Sequence, residues 1–351
     1  MPVNNRSAIC IIGMHRSGTS MVARLLQRLG LELGRPEDLW GPDPDNPLGQ
    51  FEHREFLDIN EGLLARLGGS WDRPPNFTRD WYEDHSLDGS VHQANRLVEG
   101  FAANATWGWK EPRTTILLPF WKRIVPDLRF VICIRNPLEV AWSLAKRNGI
   151  SIEQSGYLWR RYTRAALEDT EGCSRVFVSY ENFFVDPRPE IEKLIKFCGL
   201  LGQQGLASDS EIVVSELRHH KSKDRELLGS NEITLETKLI YLGLRWLSHG
   251  ERENLSDSDS HGFTNTMPCG LLLQFIDALQ DQSSSIRWER LLAERNNTIR
   301  QLERVLDEKT EEISHLKKDL ARLQEFSDAV RQTRTYKFYR SVIKPFRAGP
   351  N

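Results

Sequence analysis

The stretch IIGMHRSGTS, residues 11 to 20, constrains this chain more than any other. An apolar run from Ala8 to Ile12 fits a buried strand. A turn bracketed by Gly13 and Gly18 follows, and Val22, Leu25, Leu26 and Leu29 then recur at helical spacing. Strand, glycine turn and helix in that order aim backbone N–H groups at one anion, and Thr19 or Ser20 is expected to cap the helix. A nucleotide triphosphatase loop would place a Lys after its second Gly to reach the β and γ phosphates. Thr19 stands there instead, and Arg16 supplies positive charge from inside the turn. The loop suits a phosphate but not a triphosphate.

A second strand is expected at Phe130 to Ile134, ending in Arg135, with Pro137 starting a helix; a third is expected at Val176 to Val178, with a helix from about Pro189 to Phe197. Short apolar strands alternating with helices predict an α/β fold of three layers, P-loop-like, around a central parallel sheet. Ligands of such sheets bind beyond the carboxyl ends of the strands, where Gly13, Arg135 and Tyr180 fall. Residues 34 to 50 carry four prolines with interleaved glycines, the composition of an ordered loop or lid that could lie over that site.

A triphosphatase strand would end in an Asp that holds Mg²⁺. The strand here ends in Arg135, which cannot hold a metal but can fork onto a second phosphate, helped by the Ser143 hydroxyl two helical turns on. Two separate phosphates and no metal describe a 3′-phosphorylated adenosine nucleotide better than ATP.

At these residues the chain resembles the sulfotransferase family, with HRSGTS matching the family's 5′-phosphosulfate loop and RNPLEVAWS its 3′-phosphate motif; VSYENFFVDP is similar to a later Tyr-Glu stretch. The resemblance spans roughly residues 7 to 225, and HRSGTS with WGWKEPR looks more like the bacterial, carbohydrate-directed branches. It implies 3′-phosphoadenosine 5′-phosphosulfate as cosubstrate. His15, Arg16, Ser17, Gly18, Thr19 and Ser20 would hold its 5′ end, Arg135 and Ser143 its 3′-phosphate, and Tyr180 and Arg218 would assist, with His220 an alternative to Arg218. Sulfuryl transfer needs positive charge at the leaving oxygen, which places Arg16 and the loop amides there and Lys110, in GWKEPR, at the transferring sulfuryl group. The carbohydrate-directed relatives imply Glu52 as the base for the acceptor hydroxyl, with His15, His53 and Glu55 as rivals. The expected acceptor is a glycan or polysaccharide precursor, against whose sugars Trp40, Trp71, Trp81 or Trp107 could pack. Two other readings remain: a kinase-like phosphotransferase requiring ATP and Mg²⁺, and a scaffold with an inactive nucleotide-binding domain.

The charge of -2, from 47 basic and 49 acidic residues, argues against nucleic acid as partner and makes any anion site local. Five cysteines without C-x-x-C spacing fit a reducing compartment. No apolar run approaches the roughly 20 residues that cross a bilayer, so a cytoplasmic protein is expected. The expected division is a sulfotransferase domain at 1–282, a coiled coil at 283–326 and a basic aromatic tail at 327–351. Nine of the eleven a and d positions from Trp288 to Leu323 are apolar, which predicts either a homodimer through paired helices or packing back on the main domain. The tail's basic residues and aromatics suit an anionic membrane surface or an acidic partner in polysaccharide assembly, or a disordered terminus.

Overall fold

Alternate residues of the first strand, β1 (Ser7–Ile12), enter two different cores. Ala8, Cys10 and Ile12 pack into one, Ile9 and Ile11 into the other, all at most 2% exposed. A strand apolar on both faces requires a covering layer on each side. The computed structural model supplies them in the unit Met1–Asp277; a second unit covers Ala278–Asn351. The structure describes residues 7 to 42, 46 to 101, 106 to 200, 222, 224 to 253 (side chains to 245), 272 to 274, 276, 277 and scattered positions between 311 and 337.

The first core gathers Phe56 and Leu63 of α2 (Arg54–Arg66), Leu97 of α3 (Asp88–Phe101), Trp121 of α4 (Leu118–Ile124), Val140 and Leu144 of α5 (Pro137–Asn148) and Leu158 of α6 (Ile152–Asp169). The second lies under Val22, Leu25 and Leu26 of α1 (Thr19–Arg28) and Ile191 and Leu194 of α7 (Pro187–Cys198). The helical spacing read from the sequence after Gly18 is therefore the buried stripe of α1. Its cap differs from expectation. The N-cap is Gly18 at φ 88°, without a side-chain cap bond, and Thr19 is already the first helical residue. α5 starts at Pro137 as expected, and α7 starts at Pro187, two residues before the expected Pro189; the caps are the Asn136 and Asp186 side chains, which accept from the N–H groups of Leu138 and Arg188.

All strand pairings are parallel, in the order β2-β1-β3-β4. β3 (Arg129–Ile134) and β4 (Arg175–Ser179) contain the expected segments. β2 (Thr106–Lys110) is an addition: WGWK, where no strand was expected, is an edge strand whose last residue is Lys110. At Gly108 a Cβ would sit 2.1 Å from the Ile9 carbonyl oxygen, so the strand approaches β1 only because that position has no side chain. Because β1 lies between β2 and β3, the chain changes direction across the sheet there, and a crevice opens at the carboxyl ends of β1 and β3.

α8 (Asp224–Gly229) and α9 (Leu235–Glu253) follow in the first unit, with Ile240, Tyr241 and Leu244 buried in the first core. Most of the heptad stretch and tail, and Arg218 with His220, lie outside the described residues. In the second unit Leu320 and Leu323 are helical and exposed.

Candidate functional site

Each of the four parallel strands delivers one feature to the same end of the sheet. β1 leads into the Gly13–Gly18 turn, β2 ends at Lys110, β3 runs into Arg135, and β4 is followed by Tyr180. His15, Arg16, Gly18, Thr19, Ser20, Glu52, Lys110, Arg135 and Tyr180 line a single cleft, joined by Arg24, Arg147 and the loop from Asn46 to Phe51. The Pro-rich segment thus closes one side of the site, as its composition suggested. Its neck is fastened by the Leu39 to His53 bridge and by Trp40 N–H donating to the Glu52 carbonyl at 2.8 Å.

The loop is held from beneath. Gly13 N–H donates to Thr115 Oγ1 at 3.0 Å, and that hydroxyl donates to the Gly13 carbonyl. Arg16 adopts φ 67°, which turns its backbone into the left-handed region uncommon for a residue with a side chain. Two polar atoms of the turn are buried without a hydrogen-bond partner among the described residues, His15 Nε2 and Ser17 Oγ. Buried polar groups are normally paired, so both fit a site completed by a ligand. With the N-terminus of α1 and the nearby cations, Ser17 Oγ fits the 5′ end of a phosphorylated nucleotide, whereas His15 borders a second cavity as well.

Arg135, the residue expected at a second phosphate, is tied to the glycine turn. Arg135 Nη1 donates to the Arg16 carbonyl at 3.0 Å, and Arg16 Nε donates to Ser143 Oγ at 2.9 Å. Sequence spacing placed Ser143 with Arg135; the structure shows its hydroxyl holding Arg16. Nε and Nη2 of Arg135 both donate to Glu139 Oε2, at 3.1 and 3.0 Å. The guanidinium lies 4.2 Å from the Tyr180 ring centroid. That same ring explains Gly18: a Cβ there would come 2.3 Å from Tyr180 Cδ2.

Lys110 and Glu52 form a buried pair at 2.6 Å, and Lys110 also donates to the Gln50 carbonyl at 3.1 Å. Sequence reasoning named both residues without pairing them. Behind them, Asn60 Nδ2 donates to Glu111 and Thr114, and Arg113 Nη1 donates to Glu111 Oε1 at 2.7 Å. Burial pushes the Glu111 carboxyl above its usual range, against the pull of Arg113.

The rival bases separate. His15 lines the cleft, whereas His53 and Glu55 line a different cavity together with Glu32, Asp38 and Asp58. Burial lowers the pKa of His53, whose ring packs edge-on against Phe56 and Phe101. The tryptophans divide as well. Trp81 and Trp107 are core residues, the latter stacked on Phe101, because those stretches fold into a helical turn and a strand rather than loops. Trp40 and Trp71 line a second cavity beside the cleft, which shares His15, Arg16, Gln50, Glu52 and Arg147 with it.

Residues 8 to 202, more than half of the 351-residue chain, match the family model described as the Sulfotransferase family. The chain belongs to the sulfotransferase family. A relative from Caenorhabditis briggsae, provisionally named a protein-tyrosine sulfotransferase, is 27% identical over 119 residues. That match covers 31% of this chain and 42% of the relative, so the chain spans less than half of the relative's length. Among solved structures, the sulfotransferase domain of the Synechococcus PCC 7002 olefin synthase is 18% identical, with 73% of this chain and 96% of that one covered and a TM-score of 0.41. A sulfotransferase from Mycobacterium avium is 13% identical, covering 72% and 78%, with a TM-score of 0.37. The family match ends at residue 202, so Arg218 lies beyond it as well as beyond the described residues. Among the described residues no cluster of His, Cys, Asp or Glu could hold a metal, and no helix is long and apolar enough to cross a membrane.

Proposed function

We propose that this chain transfers the sulfuryl group of 3′-phosphoadenosine 5′-phosphosulfate to a hydroxyl on a glycan. The observation that carries the reading is the wiring of two anion positions through Arg16, with the Glu52–Lys110 pair on the wall of the same cleft. The loop amides and Arg16 would hold the 5′-phosphosulfate, and Arg135 with Ser143 the 3′-phosphate. The acceptor oxygen forms a bond to sulfur as the bond from sulfur to the 5′-phosphate oxygen breaks. The electron pair stays on the departing nucleotide, where Arg16 and the loop amides stabilise it. The acceptor proton passes to Glu52, beside which Lys110 balances the charge. Lys110 has three ammonium hydrogens; two are directed at Glu52 and Gln50, so one can meet a sulfuryl oxygen.

Support for a sugar comes from Trp40 and Trp71, whose rings border the second cavity together with Glu61, Arg113 and Asn148. Flat apolar faces beside hydrogen-bonding side chains suit a pyranose. The name of the Caenorhabditis briggsae relative favours a tyrosine hydroxyl as the second reading. Labelled donor offered to oligosaccharides and to tyrosine peptides decides between them. Label in a sugar that disappears with Glu52→Gln supports the first, and label in peptide alone replaces it with the second. No transfer to either, in a protein that still binds the nucleotide, favours the scaffold. The apolar heptad positions from Trp288 to Leu323 are proposed to pair two copies of the chain.

A further inference from the structure

The side chain of His15 lines both the cleft and the cavity bordered by Trp40 and Trp71, and so stands between the two. Its ring packs 4.5 Å from the Trp71 ring and meets the edge of Tyr162 at 5.9 Å. The Tyr162 hydroxyl donates to the Trp71 carbonyl at 2.9 Å, fixing the segment against which the imidazole rests. A ring held this firmly nevertheless leaves Nε2 buried with no hydrogen-bond partner among the described residues. Its distance from water makes an unmade bond there costly, and the cavities on either side are the space from which a partner can come.

We propose that His15 Nε2–H donates a hydrogen bond to the oxygen of the acceptor hydroxyl, presenting that oxygen between Glu52 and the sulfuryl group. The proposal rests on the sulfotransfer reading above and adds to it the group that orients the acceptor. A hydroxyl oxygen has one proton and two lone pairs. With the proton directed to Glu52 and one lone pair to sulfur, the remaining lone pair needs a donor, and His15 is placed to be it. Burial and the cations Arg113, Lys110, Arg147 and Arg16 hold the imidazole pKa well below its usual value. The ring is accordingly neutral at pH 7, and a neutral donor withdraws less electron density from the attacking oxygen than an imidazolium would.

The test compares wild type, His15→Phe and His15→Gln, measuring acceptor kcat/KM with a saturating donor and the affinity for 3′-phosphoadenosine 5′-phosphate. Phenylalanine keeps the packing on Trp71 and removes the donor; glutamine restores an N–H near the Nε2 position. The expected result is a loss of about tenfold or more in acceptor kcat/KM for the Phe variant, the scale of one buried hydrogen bond left unmade. The Gln variant should recover most of that loss, with nucleotide affinity the same in all three. A Phe variant as active as wild type, a Gln variant no better than Phe, or a parallel loss of nucleotide affinity would each overturn the assignment. Wild-type protein that moves no label to any acceptor defeats the function reading itself, and this proposal with it.

Discussion

Lys110, the last residue of the edge strand, and Glu52, at the end of the Pro-rich loop, form an ion pair of 2.6 Å with both side chains under 10% exposed. Removing one member of such a pair leaves the other charge buried and uncompensated. Lys110→Met should therefore destabilise the fold by about 3 to 5 kcal/mol, and the double variant with Glu52→Leu should regain a large part of it. Urea unfolding of the two single variants and the double variant measures this coupling, and additive losses would show that the pair is not a unit.

Gly18→Ala should lose more than the few tenths of a kcal/mol typical of a surface change, because the position needs φ 88° and the space belongs to Tyr180. Tyr180 must shift, and Arg135 rests on its ring. Affinity for 3′-phosphoadenosine 5′-phosphate should fall along with stability, and a Gly18→Ala protein that binds as wild type would contradict the packing described.

Much of this site was legible in the sequence because its chemistry is local. The strand, glycine turn and helix around Gly13 to Gly18 place the turn at a strand's carboxyl end by order alone, and Arg135 after an apolar run with a Pro two residues on falls at the end of another, so both meet at one cleft. β2 was not legible. TWGWK is short, interrupted by Gly108, and becomes a strand only because β1 offers an edge on which a glycine can lie. Pairings across the sheet were also hidden. The eight-residue spacing from Arg135 to Ser143 places both in one region, yet the hydroxyl meets Arg16 across the sheet, whereas the pair of Arg135 with Glu139 follows the four-residue spacing of a helix start. The orphaned His15 nitrogen is a property of the packed interior, which no local pattern encodes.

Ser143→Ala should act on the 5′ side as well as the 3′ side, since it removes the acceptor of the Arg16 Nε–H. One net hydrogen bond is worth about 1 kcal/mol, so a roughly fivefold weaker affinity is expected both for AMP and for 3′-phosphoadenosine 5′-phosphate. Titration calorimetry with both ligands checks it; weakening confined to the 3′-phosphorylated ligand would mean that Ser143 does not serve Arg16.

Asp169 ends α6, where a negative charge faces the negative end of the helix dipole. Burial, and then neighbouring Glu168, raise its pKa to about 6. A carboxyl whose folded pKa is raised contributes stability that is fully present below its unfolded value near 3.9 and is lost as pH rises through about 6. Asp169→Asn should thus be more stable than wild type at pH 7.5, with the advantage shrinking between pH 6 and about pH 4. Thermal unfolding across that range reads the difference, and an advantage independent of pH would contradict it.

Pairing through the heptad stretch is tested by sedimentation at micromolar concentration. A dimer mass that reverts to monomer when the chain is cut at Gln282 is expected, with nucleotide binding retained by the shorter protein. A monomer for the full chain would contradict the pairing.

The most direct test of the account is a metal-free calorimetric titration with 3′-phosphoadenosine 5′-phosphate, AMP and ATP, repeated on Arg135→Ala. Tight binding that needs the 3′-phosphate and is lost in the variant is the result predicted by two anion positions wired through Arg16. Equal binding of AMP, or a preference for ATP once Mg²⁺ is added, would contradict it.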